Sequence, residues 1–246
     1  MATNGLPGAQ GLDIVQVMNS SATKSGVAPR RRTPRADSAT KRTRILDCAE
    51  RLFAEHGYHG TSVRDIAQLA DVQFALVGYH FGSKEDLLDR VLERRSAVLN
   101  ADRRAFLVRA QAESGGSPVP LATLLEGFIG SIMRRAAGSD AGWRHYTRLI
   151  AAIGSAEEWS DLTHRHFNEV AREYLAEIRR SYPAAPDEAL FQAFFFSTGA
   201  MLAVCARPGR IETLSDGRFR SNDVSLLYKR LCLFLEGGFD RVLTRP

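Results

Sequence analysis

Cysteine is scarce in this 246-residue chain: there are three, Cys48, Cys205 and Cys232, far apart and set among apolar residues. An odd, scattered set argues against a disulfide framework or a cysteine-ligated zinc site and reads as reduced thiols of a cytoplasmic protein. No apolar run approaches the ~20 residues that a membrane helix needs, so no membrane partner is expected. The amino terminus lacks the basic-then-apolar order of a secretion signal. Also missing are a Gly-rich phosphate loop, a nucleophile elbow, a His-Glu-x-x-His pair and paired metal cysteines. His164 and His166 stand two apart on an expected helix, where their side chains diverge. These absences leave no catalytic residue, metal ligand or cofactor to assign, and argue against an enzyme. Sustained two-residue alternation is absent as well, so no sheet is expected and the fold class is all-α.

What is present is an uneven charge. The net charge is +5. Residues 1–44 hold Lys24, Arg30, Arg31, Arg32, Arg35, Lys41, Arg42 and Arg44 against Asp13 and Asp37, a net of +6 that leaves −1 for the remainder. A basic arm beside a compact domain is the electrostatic footprint of a nucleic-acid binder, although a solvated tail has the same composition. Residues 1–36 are rich in Gly, Ala, Ser, Thr, Pro and Arg without apolar periodicity, and read as a disordered arm.

Order is expected from near Ser38. Ile45, Leu46, Ala49, Leu52 and Phe53 fall on one helical face, and Gly57 is placed to end that helix. Ser62 and Asp65 have the spacing of a capping box for a second, short helix. A tight connection at Asp71-Val72-Gln73 leads to a third, about Phe74 to His80. Ser83 then caps a fourth that runs through Leu88, Val91 and Leu92, as far as about Val108. Ser114 to Pro118 is the clearest break. Beyond it, helices are expected near 120–137, 142–154, 157–181, 187–206 and 223–243, with a polar loop from Pro208 to Asn222.

Three short helices with a tight turn between the second and third make a helix-turn-helix, whose third helix packs one face and offers the other to a major groove. On a helical wheel Gln73, Leu76, Val77, His80 and Phe81 cluster on one side, while Phe74, Ala75, Gly78 and Tyr79 form the opposite arc. The second arc suits DNA: small residues allow close approach, Tyr79 can bond a phosphate and Phe74 can touch thymine methyls. Lys84 lies in the first turn of a helix, where the dipole disfavours a cation unless a phosphate sits there too. Ser62 could anchor a second phosphate in the same way. Each residue also has a plainer reading, Tyr79 as a core-edge aromatic and Lys84 as a solvated lysine.

The run Arg44-Ile45-Leu46-Asp47, Leu52 to Tyr58, Thr61 to Ala67 and Tyr79 to Leu88 closely resembles the TetR (tetracycline-repressor-like) family over about fifty residues. The resemblance implies an all-α homodimeric transcription regulator, by default a repressor. Its parts would be an arm over 1–36, a DNA-binding domain over 37–84 and a ligand-sensing, dimerising domain over 85–246. It implies phosphate contacts from Tyr79 and Lys84, base-facing positions at Gln73, Phe74, Ala75 and Gly78, and backbone contacts from Arg42, Thr61 and Ser62. Three positions depart from the family pattern: Asp71 replaces a turn Gly, Gln73 a Ser or Thr cap, and Gly78 a frequent Tyr or Asn. The partners implied are a palindromic double-stranded DNA operator and a small hydrophobic effector.

In the C-terminal part the resemblance fades. Phe128, Trp143, Tyr146, Arg148, Leu149, Ile153 and Phe167 sit on central helices and could line a ligand cavity, or be ordinary core. The last two long helices carry broad apolar faces with Phe194, Gly199 and Leu202 on one and Leu227, Leu231 and Phe234 on the other. Each has more apolar surface than one buried face requires, which favours a dimer interface over internal core alone.

Overall fold

The computed structural model describes residues 34–207, 209–221 and 223–244. The arm expected over residues 1–36 lies outside the described residues as far as position 33, and its last three residues already belong to the first helix. Among the described residues all regular structure is helical. Helix α1 spans Pro34–His56, starting ahead of the expected Ser38, and carries Ile45, Ala49 and Phe53 inward. It ends where Gly57 turns to φ +74°, a conformation open to glycine without strain.

Helix α2 (Val63–Leu69) and α3 (Phe74–Phe81) complete the small N-terminal unit. Ile66 and Ala67 from α2, its C-cap Ala70, and Val77 and Phe81 from α3 close over the α1 stripe. Burial of each large apolar side chain here contributes about 1.5–3 kcal/mol. The α2–α3 turn is made by Asp71 at φ 48°. A left-handed Asp is strained relative to Gly, and Arg44 holds it, donating from Nη2 to the Asp71 carbonyl at 2.7 Å. At the next junction Gly82 has φ +78°, and a Cβ there would sit 2.8 Å from the Asp86 carboxylate.

Helix α4 (Lys84–Glu113) runs past the expected Val108 and joins the small unit to the larger C-terminal bundle. The segment expected as one helix over 120–137 is α5 (Leu121–Leu125), a π turn (Glu126–Gly130) and α6 (Ser131–Ala137), continuous in backbone but widened in the middle. Then follow α7 (Ala141–Ile153), a 3-10 turn (Glu157–Trp159), α8 (Ser160–Ser181) and α9 (Asp187–Ala206). The stretch expected as a loop up to Asn222 contains a short helix, α10 (Arg210–Leu214); Glu212 in it accepts from the Ser221 backbone N–H at 2.6 Å. Helix α11 (Val224–Thr244) packs along α9. One absence needs correcting: α9 is long and apolar enough to cross a membrane by length and composition. Its apolarity comes from having one face in the bundle and another, bearing Phe195 and Phe196, on the surface.

The small unit is fixed to the bundle by a buried carboxylate. Glu50 on α1, 1% exposed, accepts from Arg94 at 2.7 Å and from both Nε and Nη2 of Arg95 at 2.9 Å. Arg94 reaches Asp47 at 2.6 Å, and Arg95 reaches Asp140, the N-cap of α7, at 3.5 Å. Gly142 makes room: a Cβ there would fall 2.0 Å from Arg95 Nη2 and 2.9 Å from Glu50 Oε1. The Trp143 ring meets the guanidinium groups of both Arg95 and Arg135, whose Cζ atoms lie 4.9 and 4.3 Å from its centroid. Removing one partner of a buried ion pair strands the others, so Glu50→Ala is expected to lower the unfolding free energy by about 3 kcal/mol. Chemical denaturation checks this; a change below about 1 kcal/mol would show that the cluster is not a structural tie.

Candidate functional site

The outward arc of α3 forms a projecting surface. Tyr79 is 83% exposed and Phe74 54%. Ala75 and Gly78 are exposed beside them, and nothing lies within 4 Å of a Cβ built on Gly78. Gln73 is exposed at the N-cap of α3 but makes no side-chain capping bond. Val77 and Phe81 are buried and Leu76 and His80 half-buried, so the wheel divides as the periodicity predicts except at Gln73.

Cations border this arc. Arg42, exposed on α1, has its Cζ 5.5 Å from the Phe81 ring centroid, and Arg64, which sequence reasoning passes over, lies 5.8 Å from that of Phe74. The Lys84 ammonium sits 4.0 Å from the Tyr58 ring centroid, a cation–π contact that explains how a lysine is tolerated at a helix N-terminus. Ser62 and Ser83 are the exposed N-caps of α2 and α4. Thr61 does not join them. It is 2% exposed, and its hydroxyl donates to the carbonyls of Leu52 at 3.1 Å and Gly57 at 2.8 Å. Its role is to lock the end of α1 to the start of α2, and its side chain has no surface to offer a backbone phosphate.

A cavity of about 580 Å³ opens between α4, the π turn, α7, α8 and α9. Of the seven residues expected around a pocket, Phe128, Ile153 and Phe167 line it. Trp143, Tyr146 and Leu149 do not line it and are buried elsewhere in the core, Trp143 against the Glu50 cluster, and Arg148 is exposed to solvent. Residues not foreseen complete the wall, among them Arg103, Phe191 and Met201. Its rim is continuous with the small unit: next to the lining residues Ala156 and Glu157, Trp159 stacks edge-on against Tyr58 at 4.6 Å, and Glu158 pairs with His59 at 2.8 Å.

The outer face of α9 and α11 is apolar. Phe195 (72% exposed), Phe196, Leu233 and Phe234 (71%) stand out, and no atoms crowd the Cβ positions of Gly199, Gly237 and Gly238. Of the residues expected on this face, Leu231 is buried in the bundle; Phe194 (5.1 Å from Phe128) and Leu202 are half-buried and line the cavity, as do the more exposed Phe195 and Gly199. Gly199 is exposed on the face, and Leu227 is half-buried at its edge.

Two family models match. Residues 45–91 match the model of bacterial regulatory proteins of the tetR family, and residues 126–238 the tetracyclin repressor-like C-terminal domain. The HTH-type transcriptional repressor KstR2 of Rhodococcus jostii is 46% identical over 52 residues, 21% of this chain and 26% of that one. The HTH-type transcriptional repressor Rv3405c of Mycobacterium tuberculosis is 34% identical over 96 residues, 37% of this chain and 50% of that one. The matches thus span half or less of these relatives' length. The fold is shared with the fatty acid degradation regulator FadR from Bacillus halodurans (TM-score 0.55, 21% identity, 85% of this chain and 98% of that one). It is shared also with a putative tetR family transcription regulator from Shewanella (TM-score 0.58, 17% identity, 80% and 96%).

The two serine caps carry a pH dependence. Side-chain and backbone hydrogen bonds from Ser62 hold the Asp65 carboxyl below the usual carboxylate range, and Ser83 does the same to Asp86. A carboxyl with a depressed pKa stabilises the fold above its ordinary value, about 4, and loses that contribution as pH falls through the depressed one. The double variant Asp65→Asn, Asp86→Asn is therefore expected to melt below the native protein at pH 7 and by a smaller margin at pH 2. Circular-dichroism melts at both pH values check this, and a gap of equal size at both would exclude the caps as its source.

Proposed function

The chain belongs to the TetR family and is a non-enzymatic, DNA-binding transcription regulator; from that premise we propose that it is a homodimeric repressor that reads a palindromic operator and is released by a small apolar effector. The observation that carries the reading is the exposed arc of α3, with the Arg64 guanidinium beside Phe74. Phe74, Ala75 and Gly78, with Gln73 at the N-cap, face the base edges, while Tyr79, Lys84, Arg42 and the Ser62 cap grip phosphates. Positions 37–84 form the DNA-binding domain and 85–246 the sensing and dimerising domain, with the basic arm adding charge that any duplex attracts. Gly78 removes a side chain from the groove, so the helix approaches the base pairs closely and reads them with few side chains.

One short helix contacts few base pairs, and two of them about one duplex turn apart read a palindrome. The apolar face of α9 and α11 supplies the dimer contact, and a second copy of the same surface covers Phe195, Phe196, Leu233 and Phe234. The effector enters the cavity between α4, α8 and α9. Its rim reaches the DNA-binding unit through Trp159, Tyr58 and Lys84, and α4 carries a shift in the same direction. The spacing of the two recognition helices then changes and operator affinity falls. That both KstR2 and Rv3405c are named repressors supports the sign of regulation.

Selection of bound duplexes from a random pool at fixed, moderate salt tests the reading. Enrichment of an inverted repeat is expected; a folded protein that enriches no sequence would refute it. On the selected site, Tyr79→Ala is expected to weaken binding about tenfold, a loss of ~1.4 kcal/mol. Its melting temperature should not change, since the side chain is exposed. The pair Phe195→Asp, Phe234→Asp is expected to sediment as a monomer and to lose operator binding; a dimeric variant would place the interface elsewhere.

A further inference from the structure

Arg103 is the buried charge that the fold does not neutralise. It is 2% exposed, lies on the inward face of α4 and lines the cavity. Among the described residues it makes no ion pair. Only its Nε is bonded, donating to the Phe128 carbonyl at 3.0 Å and to Ser131 Oγ at 3.3 Å. Among the described residues no acceptor meets its two Nη groups, four N–H donors, and the ionisable groups nearest it are the Tyr146 and Tyr174 phenols and the Cys205 thiol. Burial lowers its pKa to about 10, which still leaves it charged at neutral pH. The Tyr146 hydroxyl is also buried without a partner.

The surroundings hold this guanidinium in place. Its Cζ lies 3.9 Å from the Phe128 ring centroid. Phe128 belongs to the π turn, and its carbonyl also accepts from the Ser131 hydroxyl at 2.9 Å. Gly127 lets the turn approach: a Cβ there would fall 2.4 Å from Phe106 and 2.6 Å from the Tyr174 hydroxyl. The Tyr174 hydroxyl in turn donates to the Arg103 carbonyl at 2.9 Å. One nitrogen is tied to the scaffold and the other two are left for something else. Most of the wall is apolar, from Phe128, Ile132, Ile153, Phe194 and Met201; Thr198 among them donates to the Phe194 carbonyl, Thr163 and Asn168 are half-buried, and Glu157 and His164 are exposed.

An unpaired, immobilised arginine in an apolar chamber matches a molecule with one anionic head and an apolar body. We propose that the cavity takes an alkyl carboxylate, bound head-inward, with its carboxylate bridged by the Arg103 guanidinium and its chain packed along Ile153, Phe194 and Met201. The planar fork suits a carboxylate in two-bond geometry. Glu157 at the rim disfavours a second anionic group there, so the class is a monocarboxylate rather than a dicarboxylate. This names the effector class for the regulator proposed above and rests on that reading for its consequence, though not for binding itself.

The test is calorimetric titration of the full chain with decanoate and with 1-decanol, both kept below their aggregation limits, on the native protein and on Arg103→Met and Arg103→Lys. The native protein is expected to bind decanoate at least tenfold more tightly than decanol. Arg103→Met should keep decanol binding and lose the preference, and Arg103→Lys should keep part of it. Removing an unpaired buried charge does not unfold the site, so Arg103→Met should melt no lower than the native protein. The acid–alcohol comparison on the native protein stands even if the variant fails to fold. Equal binding of acid and alcohol, binding of neither, or a preference that survives in folded Arg103→Met overturns the proposal. Decanoate binding that leaves operator affinity unchanged would uphold the ligand class and defeat the regulatory reading.

Discussion

The buried carboxylate of Glu50 is the point on which the arrangement of the chain depends. It lies where α1, α4 and the start of α7 meet, and its bonds to Arg94 and Arg95 are made across those elements. Each of its two oxygens has a charged donor, which offsets the desolvation that an isolated carboxylate would suffer. Without the cluster, the small unit would be joined to the bundle mainly by apolar contact, which is strong but indifferent to angle. Directional bonds at 2.7–2.9 Å set that angle. The absence of a side chain at Gly142 leaves room for the charges to meet, and the Trp143 ring packs against the Arg95 guanidinium.

A second link lies on the other side of the small unit. Lys84 stands over Tyr58, and Tyr58 meets Trp159 beside the cavity rim. Unlike the Glu50 cluster this link is made of an aromatic pair, one cation and an exposed His59–Glu158 pair. Exposed pairs are worth little and rearrange readily. The unit is thus tied at one place by buried, directional charge pairs and at another by an aromatic contact to the buried Trp159.

The small unit was largely legible in the sequence because its signals are local. Capping boxes, glycines at positive φ and a five-residue apolar stripe each act within a few residues, and they agree with one another. Thr61 misled because a hydroxyl beside an N-cap looks available until the carbonyls of Leu52 and Gly57 are seen to occupy it. In the bundle, periodicity told which residues of α7 turn inward but not toward what. Trp143, Tyr146 and Leu149 are buried away from the cavity wall, and only Ile153 and its neighbours at the C-terminal end meet the cavity. The same limit applies to α9, where Phe194 and Phe195 are adjacent in sequence yet differ in exposure. Arg103 was illegible, since α4 carries arginines at 90, 94, 95, 103, 104 and 109 and nothing in that row marks the one that tertiary packing strands.

Helix α4 has thirty residues. At 1.5 Å per residue such a rod is about 45 Å long, and a rod converts angle into distance. The Glu50 cluster pins this rod at Arg94 and Arg95, about 16 Å from Lys84, so a tilt of about 5° there moves the Lys84 end by roughly 1.4 Å. Arg103 lies in the half of the rod remote from α3, and Lys84 is its first residue. In the reading proposed above, the rod would pivot at that pin and carry a displacement at the cavity to its DNA-facing end with the sense reversed, as a seesaw does.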